Sequence, residues 1–327
     1  MNGVLIIDKP AGLTSHDVVN RARRLLQQRS IGHLGTLDPM ATGVLPLVTG
    51  CLTRLAQFYT TSEKAYEGTV RFGFATDTYD ADGAATTTPL EVHLRAEDVE
   101  AVAARFRGVI EQTPPPFSAK KIKGVPAYKL ARKQKEVVLK PVQVEIKELV
   151  ILSVEGDPAR FRARVASGTY MRSVAHEMGQ ALSCGAHLES LRRTAVAEFT
   201  LEDAHTLDQL ADAVEHISSR NAVGAGVAAD ISRAKGSSPA RTLEPPETLE
   251  DFFVHPRRLL PHLPSVTADE PTTARIRSGR TVNLPELSRA RQVKVFAGQR
   301  ELIAIATRVA GTLFHPKLVF VTDSSEQ

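Results

Sequence analysis

A segment rich in glycine, proline and threonine, residues 32–46, constrains the fold more than any other stretch of the sequence. It reads GHLGTLDPMATGVLP, and its three glycines allow close backbone approach and positive φ angles. Pro39 has a fixed φ and pushes Asp38 toward an extended conformation. We therefore expect residues 30–50 to form an ordered loop rather than a regular element, with the Asp38 carboxylate partly shielded from water by apolar neighbours.

Asp38 admits two interpretations from the residues alone. A carboxylate held in a rigid loop beside apolar side chains suits a group that reacts rather than one that is simply solvated. The simpler interpretation is a structural turn, in which Asp38 only accepts hydrogen bonds from backbone donors. This is the usual role of an isolated Asp-Pro pair. The residues alone leave both interpretations open.

Hydrophobic periodicity predicts a mixture of strands and helices around this loop. Val4 to Ile7 is a short apolar run that ends before Pro10, which is typical of a buried strand. A helix is expected from about Ser15, capped by Thr14 or by Ser15 itself. Apolar patterns predict further strands over 66–74, 142–154, 160–167, 292–297 and 302–309, and further helices over about 99–106 and from about 169.

The composition changes in the last third of the chain. Residues 219–250 are dominated by Ala, Gly, Ser and Pro, which is typical of a flexible insertion or linker. Residues 271–322 contain nine Lys or Arg and two acidic residues, a balance of +7. We predict a first domain over 1–262, a small basic β domain over 263–322 and a tail over 323–327.

Composition and spacing exclude several classes of protein. Two cysteines far apart in sequence, Cys51 and Cys184, cannot build a disulfide framework or a cysteine-based metal site, which favours a reducing compartment. The segment HEMGQ has Gln180 where the HExxH zinc motif requires a second histidine. No GxxxxGK[ST] phosphate loop is present. No run of about 18 apolar residues occurs, so we expect a cytoplasmic protein without a membrane span.

Six segments in a fixed order, spread over about 200 residues, resemble the signature segments of the TruB family of tRNA pseudouridine synthases. The basic C-terminal segment is similar to a PUA domain. The resemblance implies an α+β protein: a pseudouridine-synthase-like catalytic domain with a mixed, mainly antiparallel sheet, followed by a small PUA-like β barrel. Besides the loop around Asp38, the matching segments are GVLIIDKPAGLTSHDVV (3–19), KAYEGTVRFGFATDTYDADG (64–83), PPPFSAKKIKGVPAYKLAR (114–132), SGTYMRSVAHEMG (167–179) and CGAHLESLRRTAVAEF (184–199).

The same resemblance implies a function. Members of the family convert uridine-55 in the TΨC arm of tRNAs to pseudouridine by breaking the N-glycosidic bond, turning the uracil and rejoining it through carbon 5. The implied partner is tRNA, the implied state is a monomer, and neither a cofactor nor a metal is needed. A net charge of +4 and a pI of about 9.1 suit a polyanionic partner.

Four residues match the family's catalytic network. Asp38 matches the catalytic aspartate, which either attacks the nucleoside or removes a proton from the ribose, and the sequence leaves that choice open. Arg172 matches the arginine that keeps this carboxylate ionised and oriented, and Asp80 matches a second acid that balances Arg172. Tyr66 matches the tyrosine that stacks on the target uracil and can also accept the carbon-5 proton. Without the resemblance, Tyr66 would be interpreted as a core residue.

Four more residues match positions around the target nucleotide, which must leave the RNA stack at a cost of a few kcal/mol. His33 matches a residue that helps to hold the flipped nucleotide. Lys9, Tyr170 and Leu191 match positions that line the pocket, although Leu191 alone would be interpreted as core. Phe117 departs from the family pattern, because a tyrosine usually stands there.

An alternative function comes from a different class of protein. A tRNA-binding folding chaperone without essential catalysis would show the same basic surface. It would not need Asp38, Tyr66 and Arg172 together, so the presence of all three favours the enzyme.

Overall fold

The structure is a computed structural model, and it describes residues 1–118, 121–122, 125–126, 139–223, 248–286 and 288–321. The helices of these residues are α1 (Ser15–Leu25), α2 (Ala56–Tyr59), α3 (Ala96–Ala104), α4 (Met171–Ala181), α5 (Leu207–Val223) and α6 (Glu270–Arg277). The strands of the N-terminal two thirds are β1 (Gly3–Lys9), β2 (Ile31–His33), β3 (Thr42–Thr49), β4 (Lys64–Phe72), β5 (Gly108–Gln112), β6 (Lys121–Ile122), β7 (Val125–Pro126), β8 (Val142–Val154), β9 (Pro158–Val165), β10 (Ala186–Val196), β11 (Phe199–Thr200) and β12 (Ala204–His205). The remaining strands are β13 (Ser265–Ala268), β14 (Val282–Asn283), β15 (Gln292–Ala297), β16 (Glu301–Ala310) and β17 (Leu313–Val319).

A ten-stranded sheet forms the framework of the N-terminal part. Its strand order is β12-β1-β3-β10-β4-β9-β8-β5, with β2 paired to β3 and β11 paired to β10. The β1–β12 and β3–β10 pairs are parallel, and the other pairs described in this sheet are antiparallel. The mixed, mainly antiparallel sheet implied by the resemblance is therefore confirmed.

The core lies on the face of this sheet that α1, α3 and α4 cover. Strand β9 shows why the sequence folds this way: Phe161, Ala163 and Val165 are buried, while the arginines between them face solvent. Helix α4 packs Val174 and Met178 into the same cluster. The alternation of β9 and the apolar face of α4 are thus both as predicted.

Helix α1 begins at a capping box. Thr14 Oγ1 accepts from the Asp17 N–H at 3.1 Å, and the Asp17 carboxylate accepts from the Thr14 N–H at 2.9 Å. Of the two predicted caps, Thr14 is therefore the one used. Ser15 is buried, and its hydroxyl bonds to the loop at Leu37 instead.

The expectation that residues 30–50 contain no regular element is wrong. Strand β3 occupies the middle of the large sheet, and Leu45 and Leu47 are fully buried. Pro46 has no N–H to donate, and in β3 its nitrogen and its carbonyl face the same side. That side lies just beyond the end of β2, where the Pro46 carbonyl accepts from the Leu34 N–H and no partner strand continues. Burial of the apolar run decides the conformation, although glycine and proline favour a loop.

A second sheet of five strands forms the C-terminal part, in the order β13-β15-β16-β17-β14. It has a core of its own, centred on Val293, Ile303 and Phe314. The predicted strands at 292–297 and 302–309 are β15 and β16, and the small C-terminal β unit is confirmed. The domain limits at 262 and 263 stay a prediction.

The two sheets also share a hydrophobic cluster. Phe296 and Phe320 from the C-terminal sheet pack in one cluster with Val4, Val44 and Leu259. The C-terminal unit is therefore anchored by apolar contacts, not only by the chain connection.

The predicted insertion at 219–250 starts too early. Helix α5 continues to Val223, because its first turns are anchored by the buried Leu210 and helix propagation then costs little. Residues 224–247 and the tail at 323–327 lie outside the described residues. No helix in the described part of the chain is long and apolar enough to cross a bilayer.

Candidate active site

The loop between β2 and β3 borders a cavity of about 400 Å³ in the face of the large sheet. This volume lies within the ~300–1,000 Å³ range of ligand pockets. Residues from five of the six signature segments converge on the cavity. Those that matter below are His33, Gly35, Asp38, Lys64, Tyr66, Tyr170, Arg172 and Leu191.

An arginine joins two carboxylates at the wall of the cavity. Arg172 Nη2 donates to Asp38 Oδ1 at 2.9 Å, and Arg172 Nε makes an ion-pair contact with Asp38 Oδ2, also at 2.9 Å. Arg172 Nη1 lies 3.4 Å from Asp80 Oδ2. The side chain of Asp38 is 34% exposed, whereas those of Arg172 and Asp80 are 5% and 6% exposed. Asp38 is therefore the member of the trio that a ligand in the cavity can reach.

Arg172 is held rigidly by its position and by backbone acceptors. It lies in the first turn of α4 and also donates to the carbonyls of Thr78 and Phe117, each at 3.0 Å. Because the contact of residue 117 is made by its backbone, phenylalanine in place of tyrosine leaves this contact intact. A guanidinium fixed in this way can hold the Asp38 carboxylate in place at the edge of the cavity.

Asp80 supports Arg172 from behind. Burial raises the pKa of its carboxyl group, against the opposing effects of the hydrogen bond from Thr78 and of the charge on Arg172. Its Oδ1 accepts from the Thr78 hydroxyl at 2.5 Å, and the side chain is not at the cavity wall. Asp77 instead accepts from the Ala84 N–H at 2.8 Å, a contact that stabilises the turn.

Tyr66 lies on β4 with only 7% of its surface exposed, and it lines the cavity beside Leu191 of β10. Burial raises the pKa of its hydroxyl, while the charge and hydrogen bond of Arg193 act in the opposite direction. In the β4–β10 pairing, Arg193 stands directly opposite Tyr66. The phenol therefore stays protonated near neutral pH and can donate a hydrogen bond.

His33 and Tyr170 complete the polar wall. The His33 Nδ1 accepts from the Gly35 N–H at 3.3 Å, so its Nε2 carries the proton of the neutral ring. Burial lowers the pKa of His33, which keeps the ring neutral. Tyr170 is fixed through its backbone by Gln112, which donates to the Tyr170 carbonyl at 3.1 Å and accepts from its N–H at 2.8 Å.

Comparison with known proteins decides the family. The model of the TruB family pseudouridylate synthase N-terminal domain matches residues 23–171, and that of the tRNA pseudouridylate synthase B C-terminal domain matches residues 172–228. The chain belongs to the TruB family. The resemblance inferred from the sequence is thereby confirmed, and the boundary between the two matches falls at Arg172.

Relatives and solved structures agree with this membership. The tRNA pseudouridine synthase B of Solibacter usitatus is 47% identical over 98% of this chain and 100% of its own length. That of Aquifex aeolicus is 46% identical over 64% of this chain and 73% of its own. A chain of a Cbf5–Nop10–Gar1 complex is 25% identical, with a TM-score of 0.65, over 98% of this chain and 85% of that chain. A chain of an H/ACA RNP bound to a substrate RNA containing 2′-deoxyuridine has a TM-score of 0.66 at 23% identity, covers 98% of this chain and 86% of that chain, and shows the same fold.

One pocket residue implied by the TruB resemblance lies elsewhere. Lys9 is fully buried and does not line the cavity; its ammonium donates to the carbonyls of Pro10, Pro39 and Ala41 at 2.8, 3.1 and 2.6 Å. Burial lowers its pKa to about 8, although the negative charge of Asp38 opposes this change. The structure therefore places Lys9 as a clamp on the loop just after Asp38, because backbone carbonyls, not the cavity, satisfy its three donors.

Two residues that hold the same loop were missed by the sequence analysis. Arg193 is fully buried and donates to the carbonyls of Gly35, Thr36 and Val44 at 3.1, 3.1 and 2.8 Å. Ser15 Oγ accepts from the N–H of residue 37 at 2.8 Å. Arg193 follows Leu191 by two residues and therefore faces the same side of the strand. An arginine on the buried side of a strand is unusual, and this could have predicted a structural role for Arg193.

Gly43 is required where β3 meets β10. Its φ is +99°, and a Cβ at this position would lie 2.2 Å from the Arg193 carbonyl oxygen. The close approach brings Arg193 under the Asp38 loop. In the described part of the chain, no cluster of His, Cys, Asp or Glu side chains is placed to hold a metal ion.

Proposed function

We propose that this chain converts uridine-55 in the TΨC arm of tRNA to pseudouridine, with Asp38 as the reacting carboxylate. The observation that carries the proposal is the accessible Asp38 side chain, fixed by the buried Arg172 at the wall of the cavity. The names of the relatives in the TruB family support tRNA as the substrate. We propose a monomer that works in the cytoplasm.

The chemistry requires an ionised carboxylate next to the sugar of an extruded uridine. Whether Asp38 attacks carbon 1′ or removes a ribose proton, the bond from carbon 1′ to N1 breaks and its electron pair leaves with the uracil. The uracil then turns and bonds to carbon 1′ through carbon 5, which finally loses its proton. Arg172 prevents Asp38 from rotating away, since both carboxylate oxygens face the guanidinium.

We propose that Tyr66 binds the uracil and does not remove the proton of carbon 5. Burial raises the pKa of its hydroxyl and keeps the phenol protonated, so it stacks on the uracil and donates a hydrogen bond. The proton of carbon 5 is then removed through water or another group. We propose that His33, Tyr170 and Leu191 contact the extruded nucleotide, whereas Lys9 and Asp80 act through the loop and through Arg172.

We propose that the unit built on the five-stranded sheet binds the tRNA backbone. This sheet and its connecting segments carry exposed cations that have no carboxylate partner among the described residues, including Arg280, Arg289, Arg291 and Lys317. Lys294 does not belong to this surface, because it is buried and donates to the carbonyls of Arg257 and Leu259. The predicted balance of +7 therefore overstates the charge that an RNA would meet.

The test is incubation of the purified protein with an unmodified tRNA transcript, followed by mapping of pseudouridine at single-nucleotide resolution. The proposal predicts modification of position 55 alone. Tight binding without any pseudouridine would favour the alternative of a tRNA-binding chaperone, and modification at another position would contradict the assigned substrate.

A further inference from the structure

The geometry points to Lys64 as the residue that binds the phosphodiester next to the target uridine, an inference that rests on the proposed function. Lys64 opens strand β4, two residues before Tyr66, and its half-buried side chain lines the same cavity as Asp38. Its ammonium group donates to the carbonyl of Ser62 at 2.6 Å.

Lys64 has no carboxylate to balance its charge. Its neighbour Glu63 is already engaged by Lys147 at 2.8 Å and by Arg164 at 2.6 Å. No other ion pair to Lys64 is found in the described residues. Burial, together with the charge of Arg193, lowers the pKa of Lys64 to about 8. A partly desolvated and unpaired cation at a cavity wall is unfavourable in the empty protein and favours an anionic ligand.

The charges and polar groups around the same corner of the cavity also favour an anion. A Cβ on Gly35 would lie 3.6 Å from both Lys64 Cε and Arg193 Nη1, so the two cations flank the bare glycine backbone. The Gly35 N–H fixes His33 as the Nε2–H tautomer, which leaves this ring with a donor and no free acceptor. Among the described residues that line the cavity, Asp38 is the sole acid, and its carboxylate is already paired with Arg172.

The parts of a nucleotide divide between these groups by their chemistry. The uracil belongs against Tyr66, and the ribose must reach Asp38. The remaining part is the phosphodiester, whose negative charge can pair with the Lys64 ammonium. Arg172 cannot serve instead, since its donors are committed to Asp38, Asp80 and two carbonyls.

A chemical double-mutant cycle tests the contact. The substrate is a synthetic TΨC stem-loop RNA with a neutral methylphosphonate at the linkage on either the 5′ or the 3′ side of the target uridine. The enzymes are wild type, Lys64→Gln, Lys64→Arg and the matched control Lys147→Gln, whose lysine is exposed and pairs with Glu63. The measured quantities are single-turnover kcat/KM and the thermal unfolding of each variant.

We expect the wild type to lose about 10- to 100-fold in kcat/KM at one of the two neutral linkages, the range for losing a hydrogen bond to a charged group. Lys64→Gln should lose a similar factor on the all-phosphate RNA and nothing further at that linkage. Lys64→Arg keeps a cation and should therefore stay sensitive to the neutral linkage, whereas Lys147→Gln should behave like wild type. Independent losses at both linkages, or an unimpaired Lys64→Gln, would overturn the inference.

Binding of the same RNAs to each Lys64 variant in an Asp38→Asn background gives a readout that needs no turnover. Should the wild type form no pseudouridine, the proposed function fails, while this binding cycle still decides whether Lys64 contacts a phosphodiester. Unfolding temperatures equal to wild type show that a loss in Lys64→Gln is local, and Lys64→Met repeats the test if glutamine is poorly tolerated.

Discussion

At the residue scale, the site works because buried groups hold one reachable carboxylate. Arg172 contacts Asp38 directly, while Lys9 and Arg193 bind the backbone on either side of it. Carbonyl oxygens accept from Lys9 and Arg193, and two carboxylates pair with Arg172, which limits the cost of removing these cations from water. Removing one of these cations therefore disturbs the loop as well as the local charge.

His33 gives a prediction about pH. Because burial lowers its pKa below the usual 6.5, the unfolded chain takes up a proton before the folded protein does as the pH falls through and below 6.5. Uptake by the unfolded chain makes unfolding easier, so His33 contributes a loss of stability on acidification. His33→Gln, whose side-chain oxygen can still accept from the Gly35 N–H, should lose stability less steeply between pH 7 and 5.

Urea unfolding of wild type and His33→Gln across this pH range measures the difference. Parallel curves for the two proteins would show that His33 is not held neutral by burial. His315→Gln is the control, because that histidine is exposed on the second sheet.

At the scale of elements, the pairing of β3 with β10 leaves no room for a side chain at Gly43. Gly43→Ala would place a Cβ 2.2 Å from a backbone oxygen and would also strain a φ of +99°. We expect a loss of more than about 2 kcal/mol in the free energy of unfolding. Gly12→Ala is the matched control: its φ is +82°, but no atom lies within 4 Å of the added Cβ.

Chemical denaturation of both glycine variants checks this, and Gly12→Ala should lose only about 1 kcal/mol, the ordinary penalty of positive φ. Equal losses in the two variants would mean that the packing of β3 against β10 does not require close approach.

A stacked pair ties helix α4 to the turn that holds Arg172. Tyr79 has a φ of +65°, and its ring stacks on His176 with 3.8 Å between centroids and 9° between planes. Its neighbours Thr78 and Asp80 supply the carbonyl and the carboxylate that contact Arg172, one helical turn before His176. The stack thus positions Arg172 without touching the cavity.

We predict that His176→Ala lowers kcat by roughly 2- to 13-fold with little change in KM, since a stacked pair contributes about 0.5–1.5 kcal/mol. His176→Phe should restore most of kcat by keeping the stack. Steady-state kinetics on a tRNA transcript distinguish the cases, and a rise in KM with unchanged kcat in His176→Ala would contradict the positioning role.

The sequence predicts some elements better than others for physical reasons. Strand β9 and the apolar face of α4 follow from periodicity, because each buries one face and exposes the other. Strand β3 does not, because it is buried on both faces and so shows no alternation. The contacts of Lys9 and Arg193 join segments that are distant in sequence. Strand alternation can place Arg193 on the inward side, but no local pattern shows which carbonyls either cation binds.

At the scale of the whole molecule, the two sheets are joined by a shared apolar cluster. Deleting residues 263–327 would expose Val4 and Leu259, so a truncated protein is a poor test of RNA binding. Neutralising exposed cations of the second sheet leaves that cluster intact and isolates the electrostatic contribution.

We predict that changing Arg280, Arg289, Arg291 and Lys317 to glutamine weakens tRNA binding and flattens its dependence on salt. The slope of log affinity against log salt should fall by about 0.7–0.9 for each phosphate that the variant no longer neutralises. Position 55 should remain the modified site, because phosphate contacts position an RNA without reading its sequence. Arg95→Gln on α3, whose arginine pairs with Asp98, is the control.

Binding titrations at several salt concentrations, with the modified position mapped, check this prediction. If the salt dependence of binding is unchanged in the fourfold variant, the tRNA backbone binds to another surface. A shifted modification site would show that this surface also selects the nucleotide.

The central claim is that the Asp38 carboxylate performs the reaction. Asp38→Asn keeps the shape of the side chain and removes its charge, so the variant should fold and bind tRNA nearly as the wild type does. The decisive measurement is pseudouridine at position 55 in an unmodified tRNA transcript after a single-turnover incubation with each protein. We expect complete conversion by the wild type and none by Asp38→Asn, and conversion by Asp38→Asn at a near-native rate would rule out this role for the carboxylate.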